Sequence, residues 1–263
     1  MNRIYKLFKE KQKNILSVYF TAGYPQFDDT AKIVKELEKQ GADMVEAGIP
    51  FSDPMADGPV IQQSGTAALN NGMTLKKLFS QVEKIRDEVN IPLIMMGYLN
   101  PIMQFGVEKF CSECKRTGID GVIIPDLPFD DYMQMFKLLG KQYGIEFIML
   151  ITPETSEERI RLIDKNTSGF IYMVSTASTT GAKDCFDEKT LDYFRRINAM
   201  NLKNPRLIGF GISNKTTLNA AFENAGGAII GSEFIRLLGS ELSIEAAVSK
   251  LMQKIGKSSD SDK

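Results

Sequence analysis

The sequence predicts a single (β/α)8 barrel, or TIM barrel, with an additional helix at its N-terminus. The chain has 263 residues, close to the roughly 250 that such barrels need. Short apolar runs alternate with amphipathic helical segments, and eight strands can be traced along the chain. Strands joined by helices pair in parallel through right-handed crossovers, so eight of them close most naturally into a barrel. The expected domain covers residues 1–256, followed by a polar tail at 257–263.

The predicted strands are short apolar runs bounded by turn residues. The first run ends at Gly23-Tyr24-Pro25, a sequence typical of a turn, and the fourth ends at Pro125-Asp126. Glycines precede the fourth and fifth runs, as expected where a helix ends. We expect the eight strands at 15–22, 44–47, 92–97, 121–124, 146–150, 170–174, 206–209 and 228–230.

The predicted helices fill the intervals between these strands. Ile4, Leu7 and Phe8 have helical spacing and predict the leading helix, and Thr74 is a typical N-cap residue for a later one. We expect helices at 2–12, 28–40, 60–70, 74–89, 106–117, 130–142, 156–164, 187–199, 214–225 and 243–255, with a short helix after 231.

Composition narrows the class of protein. Hydrophobic residues make up 43% and charged residues 25%, as in ordinary globular proteins, and the net charge of −1 gives no electrostatic reason to expect nucleic acid. There is no run of about 18 apolar residues that would predict a membrane span. The basic stretch 1–13 precedes an apolar run, but polar residues interrupt that run and no cleavage site follows. We therefore expect a cytoplasmic protein.

Histidine and cysteine usage limits the chemistry. The chain has no histidine, which excludes Ser-His-Asp and Cys-His mechanisms and leaves carboxylates, tyrosine, lysine and cysteine as acid–base groups. Its three cysteines are an odd number, so a disulfide scaffold is not expected. Cys111-x-x-Cys114 lies in a helical pattern with no histidine to complete a zinc site, and no metal is expected.

Acidic residues cluster at the end of the second predicted strand. Glu46 lies within this apolar strand, and a buried carboxylate costs several kcal/mol unless it is paired, hydrogen-bonded or protonated. Asp53 and Asp57 follow in a loop stiffened by proline and glycine. If Met44 faces the barrel interior, Glu46 does too, at the strand end where barrels of this fold have their sites. The alternative is that Glu46 pairs with a buried lysine or arginine and that both aspartates are turn residues.

Two further groups of residues lie at the same end of the predicted barrel. Aromatic and apolar side chains at strand ends are suited to line an apolar pocket, although plain core packing is the alternative for each: Tyr19, Met96, Tyr98 and Tyr172. Glycine-rich loops follow the last two strands, at 209–213 and 231–232. Loops in these two positions commonly bind phosphate in TIM barrels, while ordinary strand-to-helix turns are the alternative.

These motifs together resemble the α subunit of tryptophan synthase. The resemblance rests on EAGIPFSDPMADGP at 46–59, TAGYP at 21–25, GFGIS at 209–213 and GS at 231–232, and it runs over nearly the whole chain. It implies retro-aldol cleavage of indole-3-glycerol phosphate to indole and glyceraldehyde 3-phosphate, without a cofactor. It also implies a partner, the pyridoxal-phosphate β subunit that consumes the indole, in an α2β2 heterotetramer.

The resemblance also implies roles for individual residues. Glu46 corresponds to the acid–base residue, and Asp57 to the residue that accepts the indole NH. The implied substrate-binding residues are Tyr19, Met96, Tyr98, Tyr172 and Thr180, and the implied phosphate-binding residues are Gly181, Gly211, Gly231 and Ser232. The segment 175–186 corresponds to a lid, in which Thr180 reaches Asp57.

The sequence departs from the family pattern at two positions. Ser178 stands where a glycine is usual, and Tyr19 where phenylalanine is frequent.

Three other functions are alternatives to this interpretation. The synthase that makes indole-3-glycerol phosphate needs catalytic lysines near strand ends, and the predicted strands have none. A free-standing lyase differs only in needing no partner. A non-catalytic regulatory barrel has no need for both Glu46 and Asp57.

Overall fold

The computed structural model describes residues 2–175 and 185–257, and its eight strands form a closed, all-parallel barrel in sequence order. This confirms the predicted fold class. The strands are β1 Ile15–Thr21, β2 Met44–Gly48, β3 Leu93–Met96, β4 Gly121–Ile123, β5 Glu146–Ile151, β6 Ile171–Val174, β7 Arg206–Gly209 and β8 Gly227–Ile230. The tail predicted at 257–263 lies outside the described residues apart from Lys257.

The helices surround the barrel. They are α1 Arg3–Glu10, α2 Asp29–Lys39, α3 Pro59–Asn70, α4 Leu75–Glu83, α5 Leu99–Phe105, α6 Val107–Thr117, α7 Phe129–Asp131, a π-helical segment Tyr132–Phe136, α8 Lys137–Tyr143, α9 Glu157–Asn166, α10 Glu188–Ala199, α11 Lys215–Asn224, α12 Ser232–Ser240 and α13 Ile244–Lys254. None of the helices in the described ranges is long and apolar enough to cross a membrane.

Three helices differ from the prediction. The helix α5 was not predicted, because Pro101 interrupts its short pattern, yet proline is tolerated in a first helical turn. The helix α4 ends at Glu83 rather than near residue 89, where the buried Arg86 donates to the carbonyl of Ile91 at 3.0 Å. Arg86 also donates to the Gly118 carbonyl at 3.4 Å, a tertiary contact that has no local sequence signal. The helix after β8 is longer than expected and continues to Ser240.

The leading helix α1 closes the amino end of the barrel. Asn2 caps it by accepting from the amide of Ile4 at 2.9 Å, and Ile4 is fully buried against the residues that fill the barrel interior. Arg3 anchors the helix through an ion pair of 3.2 Å with Asp120, the residue before β4. The open face of the barrel is therefore the opposite, carboxyl end.

The barrel interior is apolar except for two side chains near its middle. Alternate residues of the strands point inward and form one core cluster, including Met44, Ile94 and Phe170, separate from the cluster between strands and helices. Ser17 of β1 and Glu46 of β2 are polar and fully buried. Tyr19 pairs with Glu46 in the register of these two strands.

Candidate active site

Glu46 is a fully buried carboxylate that accepts a hydrogen bond from Ser17. The Ser17 hydroxyl donates to its Oε1 at 2.7 Å, and Oε2 is buried without a hydrogen-bond partner in the described part of the chain. Burial raises the pKa of Glu46 to about 7, and the Ser17 hydrogen bond opposes that shift in part. No lysine or arginine within 2–175 and 185–257 forms an ion pair with it, so the alternative of a buried salt bridge does not account for Glu46.

Asp57 lies in the loop between β2 and α3, where Tyr98 binds it. The Tyr98 hydroxyl donates to Asp57 Oδ2 at 2.9 Å and accepts from the amide of Ala56 at 2.9 Å. Burial raises the pKa of Asp57, and the hydrogen bond from Tyr98 partly opposes this. Asp53 of the same loop is exposed and bonds Ser52, which suits a turn residue. The two aspartates of this loop therefore differ in environment, because Asp57 is half-buried and Asp53 is exposed.

A small cleft, partly open to solvent, lies at the carboxyl end of the first three strands. Its lining combines apolar and aromatic side chains with polar ones, and Asp57 contributes its carboxylate. Its lining residues are Tyr19, Thr21, Ile49, Pro50, Phe51, Pro54, Asp57, Ile61, Gln62, Gly65 and Tyr98. The structure therefore brings together Tyr19, Asp57 and Tyr98 of the predicted site. Met96 is half-buried against the barrel interior and does not line this cleft.

Two inward-facing tyrosines each lie on a glycine of the next strand. The Tyr19 hydroxyl rests against Gly48 of β2, and the Tyr172 hydroxyl rests against Gly209 of β7; a Cβ atom at either glycine would overlap the ring. Burial raises the pKa of both tyrosines, and the negative charges of Glu46 and Asp57 raise it further. Both hydroxyls therefore stay neutral near the two acids.

The two predicted phosphate loops differ in how their helices begin. The first turn of α11 is satisfied internally, because Asn214 and Thr217 form a capping box. By contrast no side chain in the described part of the chain caps α12, which begins after Gly231, so its first amides can donate to an anion. Its first-turn acid, Glu233, is directed to Lys254 at 2.6 Å and Arg236 at 3.1 Å, which offsets its negative charge.

The loop after β7 has a strained backbone beside this helix start. Phe210 and Gly211 have φ values of +68° and +72°, and for phenylalanine this left-handed conformation is unfavourable. The Ser175 hydroxyl donates to the Phe210 carbonyl at 2.8 Å and supports the turn. Tyr19 connects the start of α12 with the cleft that it lines, since a Cβ atom at Gly231 would lie 3.4 Å from the Tyr19 ring. The predicted Gly211, Gly231 and Ser232 therefore lie at the same end of the barrel as the cleft.

Some site residues were missed, and others cannot be placed. Ser17 was not predicted, although it is two residues before Tyr19 on the inward face of an apolar strand, and that parity was the available signal. The apolar cleft residues Ile49, Phe51 and Ile61 were also missed. Thr180, Gly181 and most of the predicted lid at 175–186 lie outside the described residues.

The described residues contain no cluster of potential metal ligands. No group of three or more histidine, cysteine, aspartate or glutamate side chains there is arranged to hold a metal ion. The site instead offers two carboxylates with raised pKa values, neutral tyrosine hydroxyls, and an open helix start for an anion. Together with the barrel these features are typical of a TIM-barrel enzyme with its site at the carboxyl ends of the strands.

Comparisons with known proteins identify the family. A family model described as tryptophan synthase alpha chain matches residues 5–261. The tryptophan synthase alpha chains of Parabacteroides distasonis and Phocaeicola vulgatus are 62% and 60% identical to this chain; each match covers 97% of this chain and 99% of the relative. The solved structure of tryptophan synthase subunit alpha from Legionella pneumophila has a TM-score of 0.86 at 32% identity, covering 97% of this chain and 99% of that one. The chain belongs to the tryptophan synthase alpha chain family.

Family membership confirms the enzyme class and function predicted from the motifs. The chain is a lyase that catalyses the alpha reaction of tryptophan biosynthesis. Nothing in these similarities favours a non-catalytic barrel or a free-standing lyase.

Proposed function

We propose that the chain cleaves indole-3-glycerol phosphate with Glu46 as the acid–base residue and Asp57 as the partner of the indole nitrogen. The observation that carries this proposal is the environment of Glu46. A carboxyl group with a pKa of about 7 is protonated in a large fraction of molecules near neutral pH and can still act as a base after giving up its proton. Its unpartnered Oε2 is the oxygen left for the substrate.

In the proposed reaction one residue moves two protons. Protonated Glu46 donates to C3 of the indole ring, and the ring nitrogen becomes positively charged. The Glu46 carboxylate then removes the proton from the glycerol hydroxyl next to the ring. As that oxygen becomes a carbonyl, the carbon–carbon bond breaks and its electron pair returns to the ring, releasing indole and glyceraldehyde 3-phosphate. Glu46 is protonated again at the end, so the cycle is closed.

Asp57 supplies the charge that the intermediate needs. Its carboxylate is half-buried and lines the cleft, where it can stabilise a positive charge on the indole nitrogen. Tyr98 fixes one oxygen, Oδ2, by a 2.9 Å hydrogen bond and leaves the other for the indole NH. The Tyr19 and Tyr98 rings that line the cleft suit a planar bicyclic ring. The resemblance adds Met96 and Tyr172, which lie outside the cleft lining, to the proposed substrate-binding residues.

The phosphate is proposed to bind at the open start of α12. Amides after Gly231 and the hydroxyl of Ser232 would donate to it, and the turn at Gly211 allows close backbone approach. The resemblance adds Gly181 to this set and Thr180 to the residues that reach Asp57. Both belong to the proposal on sequence grounds alone.

A β subunit is the proposed partner, in an α2β2 heterotetramer. Large apolar side chains are exposed near the mouth of the cleft: Met55, in the Asp57 loop, is 87% exposed, and Met103 of α5 is 51% exposed. Flexible methionines suit an adaptable protein interface. A partner seated on Met55 would lie two residues from Asp57.

We also propose a cytoplasmic location, since Cys185 is a free, exposed thiol, as expected in a reducing compartment.

The test is indole release from indole-3-glycerol phosphate by the purified chain, with and without a β subunit. We expect slow release by the chain alone and faster release with the partner. Glu46→Gln should abolish both, while the matched control Glu10→Gln, at an exposed position of α1, should not. Full release by Glu46→Gln would overturn the assignment of Glu46. Equal rates with and without the β subunit would overturn the proposal that it is the partner of this chain.

A further inference from the structure

Ser17 is a buried polar residue on the inward face of β1, which is otherwise apolar below Tyr19. It is fully buried, and the neighbouring inward residue, Ile15, belongs to the apolar interior cluster. A buried hydroxyl is costly unless it is hydrogen-bonded. Its hydrogen bond goes to the carboxylate of Glu46, at 2.7 Å between the two oxygens. The two polar side chains in the middle of the barrel are thus bonded to each other.

The hydroxyl approaches Glu46 from the closed end of the barrel. In the strand register Ser17 pairs with Met44, two residues before Glu46, so it lies on the side away from the mouth. It donates to Oε1, while Oε2 is buried without a partner in the described residues. The carboxyl group therefore has one anchored and one unanchored oxygen.

We propose that Ser17 is a positioning residue for Glu46. Its hydroxyl holds Oε1 in place, so that only Oε2 donates and accepts the proton. This inference rests on the proposed role of Glu46. It adds a residue that does not touch the substrate and acts through Glu46.

The hydrogen bond suits both protonation states of the carboxyl group. When the proton is on Oε2, Oε1 is the carbonyl oxygen and accepts from Ser17; when the proton has left, Oε1 accepts from Ser17 still. The proton cycle therefore requires no rearrangement at the anchored oxygen. Such an arrangement avoids a reorganisation cost at each of the two proton transfers.

The hydrogen bond also affects how easily the proton leaves. It lowers the pKa of Glu46 against the larger effect of burial, so removing it should move the titration upward. The titratable groups near the acid are Tyr19 on β1, Tyr172 on β6 and Asp57 of the β2–α3 loop. Burial raises the pKa of all three, and both tyrosines stay neutral while Glu46 titrates.

The first measurement is the titration of Glu46 itself, followed in the free chain by the NMR signal of ¹³C-labelled glutamate carboxyl groups. Ser17→Ala removes the donor and leaves a small void. Ser17→Cys keeps a side chain of similar size with a weaker donor, and Ser17→Thr keeps the hydroxyl. We expect an upward shift of about 0.5–1 pH unit in the alanine variant, a smaller one in the cysteine variant, and little in the threonine variant.

The second measurement is turnover across pH. The basic limb of kcat/KM should move upward with the titration in Ser17→Ala, and kcat should fall roughly tenfold with KM within about threefold, since the bond orients the acid rather than binding substrate. Thr167→Val is the matched control: it also removes a buried hydroxyl, one that donates to the Ile163 carbonyl at 2.8 Å near the closed end of the barrel. That control should show neither change.

The outcomes separate this inference from the proposed function. If neither Ser17→Ala nor Ser17→Cys shifts the titration or the pH profile while Glu46→Gln is inactive, Ser17 has a structural role only and the positioning role is overturned. If Glu46→Gln retains turnover, the acid–base assignment fails first and this inference fails with it. If Ser17→Ala does not fold, the cysteine variant decides between these results.

Discussion

Tyr98 and Asp57 are joined across two different strand-end loops by a hydrogen bond of 2.9 Å. Tyr98 is the N-cap residue of α5, whereas Asp57 precedes α3. The same hydroxyl accepts from the amide of Ala56, so it holds both the side chain and the backbone of the acidic loop. The orientation of Asp57 in the cleft therefore depends on a residue from the following β/α unit.

Tyr98→Phe should impair turnover through Asp57. Without the hydroxyl, Asp57 Oδ2 and the Ala56 amide lose a partner each, and the pKa of Asp57 should rise further because the hydrogen bond that opposed the shift is gone. We expect kcat/KM to fall about tenfold, in line with roughly 1–1.5 kcal/mol for one hydrogen bond. Tyr143→Phe, which removes a hydroxyl bonded to Glu108, is the control. Equal kinetics for the two variants would show that Tyr98 does not orient Asp57.

Glu46→Gln should nearly abolish cleavage and leave ligand binding within a few-fold. The amide keeps the shape of the side chain and can accept from Ser17, but it cannot carry the proton. Single-turnover indole release measures the first effect, and calorimetry with a non-reactive glycerol phosphate ligand measures the second. Loss of binding in proportion to activity would indicate a damaged fold instead.

Glu46→Gln should be more stable than the wild type at alkaline pH. The pKa of Glu46 rises from 4.5 to about 7 on folding, so the unfolded chain loses this proton first and stability falls as pH rises between these values. The full shift corresponds to about 3 kcal/mol, and glutamine does not titrate. Urea unfolding at pH 5 and pH 8 should therefore show the advantage of Glu46→Gln growing by about 2–3 kcal/mol. A constant difference would mean that Glu46 is ionised in the folded chain throughout.

Asp57→Asn should reduce turnover by about two orders of magnitude or more, because it removes the charge that stabilises a cationic indole nitrogen. Asp53→Asn is a closely matched control, since Asp53 lies in the same loop but is exposed and bonds Ser52. Steady-state indole release from both variants decides the matter. A similar rate for the two would return Asp57 to the role of a turn residue.

Gly231→Val should weaken binding of glycerol phosphates far more than binding of indole analogues. A branched side chain before the first turn of α12 would block the approach of an anion to the free amides. Ser232→Ala tests the same site without changing the backbone, and its loss should be smaller. Titration calorimetry with both ligand types gives the comparison. Equal losses for the two ligands would mean that the substitution disturbs the barrel near Tyr19 rather than the phosphate site.

The sequence carried enough information for the barrel and for its acidic residues, but not for their partners. Alternation of strands and helices is a repeated local pattern, and Glu46 stands out because a carboxylate in an apolar strand is unusual. The hydrogen bonds of Ser17 and Tyr98 depend on strand register and loop geometry, which bring together residues 29 and 41 positions apart. The helix α5 was missed for a local reason, since Pro101 conceals a short helical pattern.

The packing of Tyr19 on Gly48 and of Tyr172 on Gly209 sets a rule for how this barrel can evolve. Each ring occupies the space that a Cβ atom on the neighbouring strand would need, so enlarging either glycine is harmful while the tyrosine remains. Shrinking either tyrosine alone would leave a void. A change at one member of a pair becomes tolerable only after, or together with, a change at the other. Substitutions at 19 and 48, and at 172 and 209, should therefore show strong sign epistasis, and descendants of this chain should exchange them as pairs.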